Sequence, residues 1–211
     1  MLRHLKICGI TDQKSLDICI QLNIGFIGFN FVPQSPRYIS PEDSYKLQKK
    51  IPQSIAKVAL CVNETDIIIS NIIKHLKPDY LQLHGHESLE RVQYLRSHFK
   101  IPIIKAIGIA TNQDIETAVP YFEYADMMLF DAKPTDKDIL TGGLGKQFNW
   151  SLVHNIKTLN KPFMLAGGLN IHNLKIAQQQ SNANFFDICS GVEEIKGTKS
   201  IALLQQLAQL L

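Results

Sequence analysis

The stretch Leu5-Lys6-Ile7-Cys8-Gly9-Ile10-Thr11-Asp12 packs three structural signals around one thiol. Leu5 to Ile7 reads as a buried strand. Gly9 permits a sharp turn because it has no Cβ to clash, and Thr11 or Asp12 can cap a helix whose apolar positions follow at Leu16, Cys19, Ile20 and Leu22. Cys8 therefore sits where a strand ends. In an α/β protein reactive groups gather at that end, so the thiol is a candidate base or nucleophile. A free cysteine is equally a small apolar core residue, and Cys8 by itself leaves both readings open.

The same strand, turn and helix unit recurs along the 211 residues. Gly25 to Phe31 reads as a second strand, and a loop from Val32 to Pro41 follows it, carrying Ser35-Pro36-Arg37-Tyr38. Ser40 and Pro41 then make a helix start, as cap and first helical position. Ile55 to Val62 and Tyr80 to His84 read as the third and fourth strands, with helices over Asp66 to Leu76 and about Ser88 to His98 behind them. Pro102 to Ile107 is the fifth strand and Asp126 to Asp131 the sixth. A glycine-rich loop, Thr141-Gly142-Gly143-Leu144-Gly145, leads to Asn149, placed to cap the next helix. Pro162 to Ala166 runs into Gly167-Gly168, Phe185 to Ser190 runs into Gly191, and Lys199 to Leu210 makes a last amphipathic helix. Eight alternations with short connections predict an α/β fold, a single-domain (β/α)8 TIM barrel over residues 1–211.

Composition narrows the partners. With 45% hydrophobic residues the chain can bury a sizeable core. Its net charge is only +3, and the 22 basic residues are scattered, which argues against a nucleic-acid or membrane surface and leaves an anionic small molecule compatible. No apolar run reaches the ~20 residues that span a bilayer, and the N-terminus lacks a signal-peptide pattern, so cytoplasmic residence is expected. The four cysteines, Cys8, Cys19, Cys61 and Cys189, show no Cys-x-x-Cys spacing. Reduced thiols, rather than a zinc site or a disulfide framework, are the expectation.

In a barrel the strand ends converge on one face, and strands 6, 7, 8 and 1 are consecutive around it. Asp131 ends the sixth strand and Cys8 the first; the glycines after the seventh and eighth lie between them. Barrels commonly bind phosphate at those two loops through backbone N–H groups, a role that suits Gly167-Gly168 and Ser190-Gly191. On the other side of Cys8, Arg37 can take a carboxylate through two parallel hydrogen bonds, although alone it reads as a solvated surface charge. A substrate could then stretch from phosphate to carboxylate, with its middle between Cys8 and Asp131. His84 and His86 have no third metal ligand spaced with them, and His84 is read as a packed or hydrogen-bonding residue.

Taken together, the motifs resemble the phosphoribosylanthranilate isomerase family of tryptophan biosynthesis. The matching segments are Lys6 to Thr11, Ser35 to Tyr38, Gln82-Leu83-His84-Gly85, Leu129 to Lys133, Gly142 to Trp150, Ala166-Gly167-Gly168 and Ser190-Gly191-Val192-Glu193, in family order over almost the whole chain. The resemblance implies an Amadori rearrangement of N-(5-phosphoribosyl)anthranilate without metal or organic cofactor. It implies Cys8 as the base that takes the ribose C2 proton, Asp131 as the acid that protonates the ring oxygen and Arg37 as the holder of the anthranilate carboxylate. It also implies substrate-binding positions at Gln82, His84, Gly142, Gly143, Gly167, Gly168, Asp187, Ser190 and Gly191. As partners it implies one small phosphorylated substrate, no nucleic acid and no membrane, in a monomer or homodimer.

Four positions depart from the family pattern. Leu144 stands where a hydroxyl residue is usual, Asn149 replaces the usual Asp before Trp150, and Lys196 and Ser200 replace a common Pro and Asp. None touches the proposed acid or base. The competing enzyme reading is another phosphate-binding barrel, an indole-glycerol-phosphate synthase or a sugar-phosphate epimerase. The synthase would need a lysine pair with glutamates, for which Lys6 and Lys105 are the strand lysines at hand. A non-catalytic phosphosugar sensor is the reading outside enzymes, disfavoured by the presence of both Cys8 and Asp131.

Overall fold

The opening strand is Leu5–Cys8 (β1), and Asp12 rather than Thr11 caps the helix after it, its Oδ1 accepting from the Ser15 N–H at 2.8 Å. In the computed structural model, which describes residues 2–135, 142–159 and 161–210, this helix is Gln13–Gln21 (α1). Phe26–Asn30 (β2), Pro41–Gln48 (α2), Ala56–Cys61 (β3), Asp66–Leu76 (α3), Tyr80–Leu83 (β4) and Leu89–Phe99 (α4) follow. Ile103–Ile109 (β5) precedes two short helices, Asn112–Ala118 (α5) and Tyr121–Tyr124 (α6), and then comes Met127–Ala132 (β6). Phe163–Leu165 (β7), Leu174–Ser181 (α7) and Phe185–Ile188 (β8) complete the ring. A hairpin of Glu193–Ile195 (β9) and Thr198–Lys199 (β10) leads to Ile201–Gln209 (α8).

β1 to β8 pair in parallel, in chain order, and close into a barrel as β1 pairs with β8. Both faces of such a sheet are covered, so the strands read as near-continuous apolar runs. β6 is buried at every position. Side chains alternate between the two faces. Phe26, Val58, Ile104, Ala106, Met127, Leu129, Met164 and Ala166 make one apolar cluster, and a larger one lies between barrel and helices. Lys6 and Cys8 share a face, as do Leu129 and Asp131, because each pair is two residues apart.

Beyond shifts of a residue or two at strand ends, three differences from the sequence reading bear on the site. The eighth strand stops at Ile188, leaving Cys189 and Ser190 in the loop beyond it. The helix after Asn149 is a 3-10 helix, Trp150–Leu159, with Asn149 Oδ1 accepting from the Ser151 N–H at 3.2 Å. The last helix begins at Ile201 with Ser200 as its cap, because Lys199 belongs to β10 and turns its buried ammonium inward.

Outside the barrel wall, Lys105 of β5 is almost fully buried and donates to Glu87 Oε2 at 2.7 Å and to the carbonyl of Gly85 at 2.8 Å. Glu87 Oε1 in turn accepts from the Asn63 N–H at 2.9 Å, so this pair ties the loops after β3 and β4. Removing one partner strands the other charge out of water, which costs about 3–5 kcal/mol. Lys105→Met should lower the urea midpoint accordingly, while removing the exposed Lys46 from its pair with Asp43 should leave the midpoint unchanged.

Candidate active site

Ten of the predicted site residues surround one cavity at the C-terminal mouth of the barrel: Cys8, Arg37, His84, Asp131, Gly142, Gly143, Gly167, Gly168, Asp187 and Ser190. Gln82 and Gly191 stand behind the wall. Gln82 is fully buried, and its Nε2 donates to His84 Nδ1 at 2.9 Å, so it orients the histidine, while its Oε1 has no protein partner. Gly191 bridges to Asn170, and a Cβ there would collide with the Leu169 carbonyl. It lets the loops after β7 and β8 pack closely.

On the β6 side, Asp131 is nearly buried and its Oδ1 accepts from the Ala132 N–H at 2.8 Å. Because Gln82 donates to Nδ1 of His84, the imidazole proton belongs on Nε2, 3.4 Å from Asp131 Oδ2. The glycine loop closes over these groups. A Cβ on Gly142 would lie 2.6 Å from His84 Nε2, and one on Gly143, whose φ is +68°, would lie 2.7 Å from Arg37 Nη1. Only glycine fits both demands of Gly143. Thr141, the first residue of the loop as read from sequence, lies outside the described residues.

On the β1 side, Cys8 rests beside a buried ion pair. Lys6 has no exposure and its Nζ donates to Asp187 Oδ2 at 2.9 Å, leaving Oδ1 without a protein partner. Burial pushes the Asp187 carboxyl up to about 6 against the pull of Lys6. Burial also works against the charge on Lys6, but Asp187 and Cys8 outweigh it and hold its pKa above the ordinary lysine value. A hydrogen bond from the Cys189 thiol, aided by the charges of Lys6 and Lys199, holds Cys8 well below the ordinary thiol range.

Arg37 is buried, which overturns the surface-charge alternative. Its Nε and Nη2 bind Glu193 Oε1 and Oε2 at 2.7 and 2.9 Å, and Lys199 Nζ adds 2.8 Å to Oε1. Glu193 therefore takes one edge of the guanidinium and leaves Nη1 toward the glycine loop. Sequence reading missed this use of Glu193 and Lys199. Glu193 was visible within Ser190 to Glu193, but nothing local connects it to an arginine 156 residues away. Lys6 and Lys105 are both engaged in buried ion pairs, and neither lines the cavity, which removes the lysines a synthase would use. Among the described residues no three His, Cys, Asp or Glu side chains are grouped to hold a metal ion, and no helix is long and apolar enough to cross a membrane.

A family model described as N-(5'phosphoribosyl)anthranilate (PRA) isomerase matches residues 5–210. The chain belongs to this family. It is 39% identical over 201 residues to the N-(5'-phosphoribosyl)anthranilate isomerase of Rhodopseudomonas palustris, covering 95% of this chain and 92% of the relative. The crystal structure of phosphoribosyl anthranilate isomerase from Thermotoga maritima superposes with a TM-score of 0.88 at 31% identity, covering 98% of this chain and 97% of that one. A further phosphoribosyl anthranilate isomerase structure, at TM-score 0.85 and 29% identity, covers 98% of this chain and 96% of its own; it holds reduced 1-(o-carboxyphenylamino)-1-deoxyribulose 5-phosphate.

The thiol environments of this family member should separate in alkylation. Cys8 should react with iodoacetamide at pH values well below its reference of ~8.5, since lowering a thiol's pKa extends the thiolate form toward acid. Cys19 and Cys61 have no exposure, and burial pushes Cys19 up to about 12, so both should stay unmodified in the native protein. Peptide mapping after a pH series checks this. Equal modification of Cys8 and Cys61 at each pH would contradict it.

Proposed function

We propose that the chain converts N-(5'-phosphoribosyl)anthranilate to 1-(2-carboxyphenylamino)-1-deoxyribulose 5-phosphate, a step of tryptophan biosynthesis. The reading is carried by one observation, a thiol and a carboxyl sharing a cavity whose wall also holds glycine loops and an arginine. Asp131, holding a proton in the productive form, gives it to the furanose ring oxygen as the C1–O bond breaks, and the anthranilate nitrogen supplies the electrons for an iminium. That cation acidifies the C2 hydrogen, which the Cys8 thiolate takes. The resulting enol shifts to the ketone, so the atoms of substrate and product are the same. Among family positions, Gly167, Gly168 and Ser190 are read as the phosphate wall and Asp187 Oδ1 as the acceptor for a sugar hydroxyl. Nη1 of Arg37 is read as the donor to the carboxylate, His84 as a hydrogen-bonding neighbour of Asp131, and Gly142 and Gly143 as a cover.

The remaining parts of the reading follow from this chemistry. The steps use the chain's own groups, with neither metal nor organic cofactor. A catalytic thiolate suits the cytoplasm, where thiols are kept reduced. Residues 1–211 are read as one barrel domain that acts as monomer or homodimer on a small phosphorylated substrate, with no nucleic-acid or membrane partner.

Rescue of a tryptophan auxotroph lacking only this isomerase tests the function. Failure of a well-expressed chain to restore growth would sink it. Cys8→Ser and Asp131→Asn should each cut turnover by roughly 100- to 10000-fold, about 3 to 5.5 kcal/mol of barrier, with little change in affinity for a reduced product analogue. If Cys8→Ser turned over at the wild-type rate, the base would be another group.

Arg37→Ala should weaken substrate binding by on the order of 2 to 3 kcal/mol, and Arg37→Lys should recover only part of that. Stability should fall as well, because the Glu193 side chain is buried and loses two of its hydrogen bonds. The Michaelis constant and the urea midpoint report the two effects separately. A mutant unchanged in both would remove Arg37 from the site.

A further inference from the structure

The mechanism above gives Cys189 no chemical step, yet its position is specific. β1 and β8 are neighbours in register, with Lys6 opposite Asp187 and Ile7 opposite Ile188. Cys8 is the last residue of β1 and Cys189 the first beyond β8, so the two leave adjacent strand ends one residue past the last paired positions, and both line the cavity. Neighbouring strands lie about 4.8 Å apart, inside the roughly 4.4–6.8 Å of Cα separation that a disulfide spans. Lys199 Nζ donates to the Cys189 carbonyl at 3.0 Å and lies 3.7 Å from its sulfur, which fixes this residue against the seam.

We propose that Cys8 and Cys189 are a redox-sensitive dithiol, closed by a peroxide to a disulfide across the β1–β8 seam and reopened by a reducing thiol. The Cys8 thiolate attacks a peroxide oxygen; the S–O bond forms, the O–O bond breaks, and hydroxide leaves Cys8 as a sulfenic acid. Cys189 then loses its proton and attacks that sulfur; the S–S bond forms as the S–O bond breaks, and the departing hydroxide becomes water. The sum is two thiols and one hydrogen peroxide giving one disulfide and two waters, with two electrons passing from sulfur to oxygen.

The surroundings favour this order of events. In the resting site the hydrogen bond to Cys8 and burial keep Cys189 as the thiol, with the negative charge on Cys8 adding to the effect. Formation of the neutral sulfenic acid removes that charge, and Lys199 is at hand to stabilise the second thiolate. The loss of activity expected on closure rests on the isomerase reading, since it removes the base, whereas the cross-link itself does not.

The test treats the purified chain with hydrogen peroxide and reads intact mass, a non-reducing peptide map, and isomerase activity before and after dithiothreitol. Expected are a loss of about 2 Da, a linked Cys8–Cys189 peptide, and activity lost with peroxide and regained with dithiothreitol. In Cys189→Ser the oxidised Cys8 has no resolving partner. It should advance to the sulfinic acid, a gain of about 32 Da, and dithiothreitol should not restore that variant's own starting activity. Three wild-type results would each overturn the proposal: sulfinic acid at Cys8 with Cys189 free, a disulfide joining any other pair, or no oxidation at all. The wild-type map decides even if the variant fails to fold. A chain that forms the cross-link but turns over no substrate would sink the isomerase reading alone.

Discussion

The barrel closes where its first strand meets its last, and at that seam Lys6 and Asp187 share a hydrogen bond almost out of reach of water. Taking each ion out of water costs several kcal/mol, an outlay that the attraction between them roughly offsets, so the pair is a poor source of net stability. Its effect is electrostatic. A cation is fixed beside Cys8 in a medium that screens it weakly, and the register of β1 against β8 decides that it is there. A slip of β1 by one residue would turn Lys6 and Cys8 to the helix side and leave Asp187 behind.

A second chain of charges runs from the hairpin after β8 to the loop after β2. Lys199 and Arg37 both bind Glu193, and the Gly197 N–H adds a third donor at 3.2 Å. Burial alone would raise the Glu193 carboxyl, but the hydrogen bonds from Arg37 and the charge of Lys199 hold it below the usual carboxylate range. Arg37 is thus aimed before any ligand arrives. Its amide is also fixed, by Ser35 Oγ at 3.1 Å, which itself accepts from Asn30 Nδ2. Held at both ends, the side chain gives up little further freedom on meeting a carboxylate.

The barrel was legible because its signals are local. Apolar strands, caps at Asp12, Ser40 and Ser88, and glycines at the strand ends all lie within a few residues of what they determine. The pair proposed as base and acid was picked out the same way, from Cys8 and Asp131 near the ends of strands. The supports could not be read so. Gln82 behind His84, Glu193 under Arg37 and Lys199 beside Cys189 depend on which strand neighbours which and on how far a side chain turns inward. Lys199 shows the cost most directly: read as the first residue of a helix, it belongs instead to a two-residue strand and is buried against Cys189 and Glu193.

Because the seam joins residues 181 positions apart, Cys8 leaves the ribosome long before the groups that activate it. At about 5–20 residues per second, Asp187 follows Lys6 by roughly 10 to 35 s. Through that interval the nascent thiol lacks the aspartate that secures Lys6 and the cysteine and lysine that stabilise its anion. It behaves as an ordinary cysteine, protonated and slow toward electrophiles. Its reactivity is therefore born with the last strand, within a cavity that already limits what can reach it.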